Sequence, residues 1–132
     1  MLFKEMFFTE EKLTNKLKRM GFELSKANIH KDETVDYDGD VNLSKKQLSV
    51  IPIKFGVVRG NFDVSDNALR NLVNAPKQVY GNFTIDDNFI TDVKDSPKLV
   101  LGDYSCKYNK LDDINKKDIE KVCKVRGKIY VD

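Results

Sequence analysis

Glycine returns every 21 residues, and its neighbours return with it. Gly60, Gly81 and Gly102 are each followed at +2 by an aromatic residue (Phe62, Phe83, Tyr104) and at +4 by Val64, Ile85 or Cys106. Asn67, Asn88 and Asn109 stand at +7, and Leu69, Ile90 and Leu111 at +9. A fixed period of this size is the mark of a stacked solenoid, in which one repeat cannot bury its apolar face and neighbours must share a continuous core.

The register runs backwards and forwards from this centre. Gly39 lies 21 residues before Gly60, with Val41, Leu43, Leu48 and Ile51 in the apolar slots and Lys46 in place of the asparagine. Further columns hold Leu72, Val93 and Ile114 at +12, Phe55, Pro76 and Pro97 at +16, and Val58, Val79 and Val100 at +19. Residues +1 to +5 alternate polar and apolar, which predicts one half-buried strand per repeat. The prolines forbid a long helix on the return, leaving room for a loop or a 3₁₀ turn. About five parallel strands follow, from Gly39 to Val131. Asn67, Asn88 and Asn109 are read as a structural ladder, because a buried amide satisfies backbone groups stranded where the chain turns.

The two ends break the period. At the N-terminus, Leu13, Leu17 and Met20 form one helical stripe, Thr9 is the expected N-cap with Phe8 packed on Leu13, and Gly21 is the expected stop. Residues 22–38 predict a β-hairpin or a pair of short extended pieces, with a turn signal at Asp32-Glu33-Thr34. Residues 1–38 are thus expected to cap a solenoid of residues 39–132, in one compact domain of α/β class. The apolar cluster Leu2, Phe3, Met6, Phe7 and Phe8 suits an end cap, or a homodimer contact through Phe3, Met6 and Phe7. Near the C-terminus, Asn115 and Asp118 form a capping-box pair with Ile114 and Ile119 at staple positions. They predict a short helix over Lys116–Lys124 with Ile119, Val122 and Cys123 inward. Gly127 comes 25 residues after Gly102, and Ile129 and Val131 restore the strand pattern.

Composition narrows the functions. Charged residues make up 33% of the chain but leave a net charge of only +2, against a strongly basic nucleic-acid binder or an acidic decoy. No stretch is apolar enough to span a membrane and none reads as a secretory signal, so a cytoplasmic protein with reduced Cys106 and Cys123 is expected. His30 has no second ligand at metal spacing and is expected as an exposed strand residue. No cofactor, metal or small-molecule substrate is implied, and no catalytic residue: paired-carboxylate, phosphate-loop and Cys–His motifs are lacking.

The strand-and-asparagine portion, F-x-V-x-x-N-x-L, resembles the leucine-rich repeat, with aromatics in the first core slot and Val-x-Gly before the strand. Together with the A-P-K-x-V-x-G-N-F junction and residues 34–43, it looks like a short leucine-rich-repeat group found in large tailed bacteriophages and some bacteria. The resemblance covers about residues 29–111. It implies a curved, leucine-rich-repeat-like solenoid and a non-enzymatic role in binding protein. In a phage setting it implies a small accessory protein that binds and inhibits a host protein, such as one of a defence system. The strand face is the expected partner surface: Asn42, Asp63, Thr84, Ser105 and Tyr130, flanked by Asp86 and Lys107. The alternatives are nucleic-acid binding through the basic run that includes Lys116, Lys117, Lys121, Lys124 and Arg126, and a structural or assembly role.

Overall fold

The structure, a computed structural model, describes residues 2–110 and 115–132, with side chains from Glu11 onward. It is a parallel-strand solenoid of about four turns with few helices.

Helix α1 (Leu2–Arg19) precedes a 3₁₀ turn (Leu24–Lys26) and the hairpin of β1 (Ala27–Ile29) and β2 (Val35–Tyr37). The coils then contribute β3 (Val41–Asn42), β4 (Phe55–Val58), β5 (Phe62–Asp63), β6 (Gln78–Val79), β7 (Phe83–Thr84), β8 (Leu99–Val100) and β9 (Tyr104–Ser105). Helix α2 (Lys116–Val122), β10 (Lys124–Val125) and β11 (Ile129–Tyr130) complete the chain.

Each coil contains two strands, not the one expected. The five-stranded sheet, in order β11-β9-β7-β5-β3, is the predicted column after each glycine. A second, six-stranded sheet has the order β1-β2-β4-β6-β8-β10 and is built on Val58, Val79 and Val100. These valines, read as part of the return, are fully buried. All pairings are parallel except the antiparallel β1–β2 hairpin.

Strands of two residues cannot hold a coil by themselves, and hydrogen bonds between coils at the corners complete the task. Asn88 Oδ1 accepts from Leu69 N at 3.0 Å, while its Nδ2 donates to the carbonyls of Val64, Ile85 and Asp86. Asn67 makes the equivalent set to Lys46 N, Leu48 N, Leu43 O, Val64 O and Ser65 O. Asn109 bonds Ile90 N, Ile85 O and Lys107 O. One residue earlier the backbone is left-handed at Lys45, Asp66, Asp87 and Tyr108, with φ of 54–57°.

The corner between the sheets uses a second column. Oδ1 of Asp40, Asn61, Asn82 and Asp103 accepts the amide N–H of Asn61, Asn82, Asp103 and Lys128 in the next coil, at 2.8–2.9 Å. The glycines stand here because adjacent coils approach closely, not because the turn is left-handed. A Cβ on Gly81 would lie 2.2 Å from Asn61 Oδ1 and 2.9 Å from the Gly60 carbonyl.

Aromatic side chains run along the solenoid axis. Phe62 and Phe83 stack with centroids 5.7 Å apart, Phe55 meets Phe62 edge-on at 5.3 Å, and Phe83 meets Tyr104 at 5.0 Å. Tyr104 brings a hydroxyl into this core, and buried Ser96 meets it at 2.7 Å. At the N-terminal end, Phe22 packs edge-on against Tyr37 and Phe55, Leu17 is fully buried, and Lys16 Nζ donates to Pro52 O.

Helix α1 starts at Leu2, so Thr9 lies inside it and is not its cap. Good helix formers such as Leu2, Lys4, Glu5 and Met6 carry the helix upstream. Gly21 does adopt the left-handed conformation of a helix stop, at φ 88°. The Phe8–Leu13 contact and the Phe3, Met6 and Phe7 dimer contact fall outside the described side chains. Leu111 and Ile114 lie outside the described residues. The capping box of Asn115 and Asp118 forms, and α2 ends at Val122 because Cys123 is already extended.

Replacing Asn88 by Ala strands several buried backbone groups. It is expected to destabilise the fold by roughly 1–3 kcal/mol. Urea denaturation followed by circular dichroism measures this, and an unchanged midpoint would refute the ladder's role.

Candidate functional site

The predicted strand-face column is brought into one line. Asn42, Asp63, Thr84, Ser105 and Tyr130 are successive cross-strand partners in the five-stranded sheet. Three of these side chains are bonded to the chain itself. Asn42 Oδ1 accepts from the N–H and hydroxyl of Ser44, and Asp63 Oδ1 from Ser65 N. Asp86 Oδ1 accepts from Ser105 Oγ at 2.7 Å and Lys107 N at 2.8 Å. Asn42 and Asp63 thus close the turn after their strands, a job that short polar residues do well, while Asp86 ties its coil to the next.

Exposed aromatics stand on and beside the C-terminal part of this face. Tyr130 on β11 is 37% exposed, Tyr108 in the turn after β9 is 65% and Phe89, just past the Asn88 corner, is 47%. Lys107 Nζ lies 5.1 Å from the Tyr130 ring centroid, and Lys110 Nζ lies 6.0 Å from that of Phe89. Both are cation–π contacts on solvent-facing rings. Beside them runs an acidic corner. Desolvation first, then the charges of Asp66, Asp86 and Asp132, raise the Asp87 carboxyl above its ordinary value.

The predicted basic run is divided. Lys116, Lys117 and Lys121 are exposed on α2, where Lys116 borders a depression shared with Lys128 and Tyr130. Lys124 and Arg126 are exposed at the far edge of the six-stranded sheet. There they join residues distant in sequence. The outer face of β4, β6, β8 and β10, with the residues that flank these strands, carries Lys54, Arg59, Lys77, Lys98, Lys124 and Arg126, all exposed, and no Asp or Glu. None of the six forms an ion pair within 4 Å among the described residues. Arg59 lies over Tyr80, which is 45% exposed, with Cζ 5.7 Å from the ring centroid. A local count of charge along the sequence misses this face, since its cations are spread over more than three repeats. The visible signal is that Lys77 and Lys98 occupy the same slot of the period.

Acidic residues bound that face at the hairpin end. His30 lies just beyond β1, outside a strand, and its Nε2 is 2.7 Å from Asp36 Oδ2. Asp36 Oδ1 accepts from Val57 N at 2.8 Å. Partial burial works to raise the Asp36 pKa, but hydrogen bonds from His30 and Val57 and the charges of His30 and Arg59 hold it below its ordinary value.

Cys106 and Cys123 are free thiols buried in the core. Burial, with the charges of Asp86 and Asp132, pushes Cys106 up to about 12, and burial pushes Cys123 up to about 11 despite Lys98. Among the described residues no group of three or more His, Cys, Asp or Glu is arranged to hold a metal ion. No described helix is long and apolar enough to cross a membrane. The chain matches no protein-family profile, and neither a curated protein nor a solved structure shows significant similarity to it.

The Asp36 pKa is depressed by folding, so its carboxylate stabilises the protein above the unfolded pKa and loses that effect as pH falls through the folded value. Asp36→Asn keeps an acceptor for Val57 N and removes the charge. The melting-temperature gap between wild type and this variant is expected to be full at pH 7 and to close below about pH 4. A gap independent of pH would exclude the ionic contribution. The thiols give a second test. Neither is expected to react with Ellman's reagent within minutes at pH 8 in the native protein, and both should react in 6 M guanidinium, about two equivalents in all.

Proposed function

We propose that this chain is a non-enzymatic protein-binding scaffold whose partner docks on the C-terminal part of the five-stranded sheet. The observation that carries the reading is the exposure of aromatics on and beside that part of the sheet, Tyr130, Tyr108 and, past the Asn88 corner, Phe89, with Lys107 and Lys110 laid over two of the rings. Large rigid rings lose little conformational freedom on binding, and aromatic residues dominate the energetics of interface centres. Two residues of the strand face singled out by the repeat, Tyr130 and Lys107, belong to this group.

The rest of the face suits complementarity more than energy. Asn42, Asp63, Ser105 and Asp86, bonded within the chain, form with Thr84 a polar surface that would sit at the rim of such an interface. The resemblance to short phage leucine-rich-repeat proteins adds a setting: an accessory protein acting in the host cytoplasm by occupying, and so inhibiting, a host protein.

The test is capture from bacterial lysate on the immobilised chain, run beside a Tyr108→Ala/Tyr130→Ala variant. Both side chains are exposed, so the variant should keep its melting temperature within a few degrees. Wild type is expected to retain a discrete partner that the variant loses, with affinity down by about thirtyfold or more. Capture of nothing specific, or equal capture by both proteins, would overturn the reading.

A further inference from the structure

We infer that the outer face of the six-stranded sheet is a binding site for single-stranded nucleic acid, gripped by its phosphates. This face is separate from the aromatic group proposed above to bind protein. Its residues come from several coils.

The face has a regular layout. Val57, Gln78, Leu99 and Lys124 are aligned cross-strand partners between the inward valines. Arg59, Tyr80, Leu101 and Arg126 follow the strands on one side, and Lys54, Lys77 and Lys98 precede them on the other. Lys54, Lys77 and Lys98 line one groove of about 400 Å³ together with Lys94, exposed Val73 and a single acid, Asp95. Strands about 4.8 Å apart place β4 and β10 about 14 Å from each other, enough for a short run of nucleotides.

Charge selects an anion, and the arrangement selects a polynucleotide. Six exposed cations, none in an ion pair within 4 Å among the described residues, outnumber Asp32 and Asp36 at the hairpin end and form a local field that the net charge of +2 conceals. The five-stranded sheet and the turns after it hold Asp63, Asp66, Asp86 and Asp87, which would repel a phosphate chain and direct it to the basic face. An acidic peptide fits less well. A sheet face, unlike a sheet edge, offers no free backbone groups, so an extended peptide could not pair with it as an added strand. A nucleic acid brings a charge on every residue and needs no such pairing. Tyr80, with Arg59 over its ring, supplies a half-exposed stacking surface, and Leu99 and Leu101 are half-buried beside it. Stacking requires unpaired bases, which favours a single strand over a duplex.

Fluorescence anisotropy with labelled dT15 and U15 tests the inference. Binding should weaken with salt at a log–log slope of about −4 for six contacts, roughly a 300-fold loss between 50 and 200 mM NaCl. The triple variant Lys77→Ala/Lys98→Ala/Arg126→Ala should flatten that slope by about 2. Tyr80→Ala should weaken binding by about fivefold or more. The α2 variant Lys116→Ala/Lys117→Ala/Lys121→Ala should bind as wild type does. Circular dichroism checks that each variant folds, and all substituted side chains are exposed. Absent or salt-insensitive binding would overturn the inference, as would losses confined to the α2 variant. So would displacement of dT15 by a poly-glutamate peptide at equal charge with Tyr80→Ala neutral, which would assign the face to an acidic protein.

Discussion

Satisfying the backbone at the corners is the constraint on which this solenoid depends. A 21-residue coil turns too tightly to be held by strands only two residues long. Side chains from adjacent coils supply what the strands do not. Inside, the amides of Asn67, Asn88 and Asn109 each bridge two coils, and at the corner between the sheets Asp40, Asn61, Asn82 and Asp103 each bond the following one. Glycine is forced at that corner, because a side chain would collide with the carboxamide or carboxylate that makes the bond. Once both columns are in place, Phe62, Phe83 and Tyr104 have nowhere to point but along the shared axis.

The corner column of Asp40, Asn61, Asn82 and Asp103 mixes two residue types and reads only as a polar position, whereas the asparagine ladder was legible because it rests on one type with one physical reason. The second sheet was not. β6 and β8 bury one valine each, and two residues cannot display the alternation by which a strand is recognised. Val58, Val79 and Val100 were visible as a column without revealing that they were ladder residues. The basic face was hidden for a related reason. Arg59, Lys77 and Lys98 become neighbours only when the second sheet is known. By contrast, Lys116 and Lys124 are close in sequence but belong to a helix and a strand. The start of α1 was misplaced at Thr9 because a good capping residue can equally sit in mid-helix when good helix formers precede it.

The columns also explain how charge is divided between the sides. Acids gather where a short carboxylate closes a turn, as at Asp63, bonds the next coil, as at Asp86, or tolerates a left-handed backbone, as at Asp66 and Asp87. The six-stranded sheet has no such turns on its face, and its outward positions are free to carry long cationic side chains. The near-neutral total is therefore a sum over unlike surfaces.

Helix α2 adds one more property. The interval from Gly102 to Gly127 is four residues longer than the others, yet Lys124 still pairs with Leu99 and Ile129 with Tyr104. The extra length is absorbed between the asparagine corner and the next strand of the six-stranded sheet, without disturbing either ladder. Two sides of the coil are thus held to a common gauge while the third is open to growth. A lineage of such chains can elaborate that third side by insertion, one coil at a time, while inheriting the same axis, the same core and the same two faces.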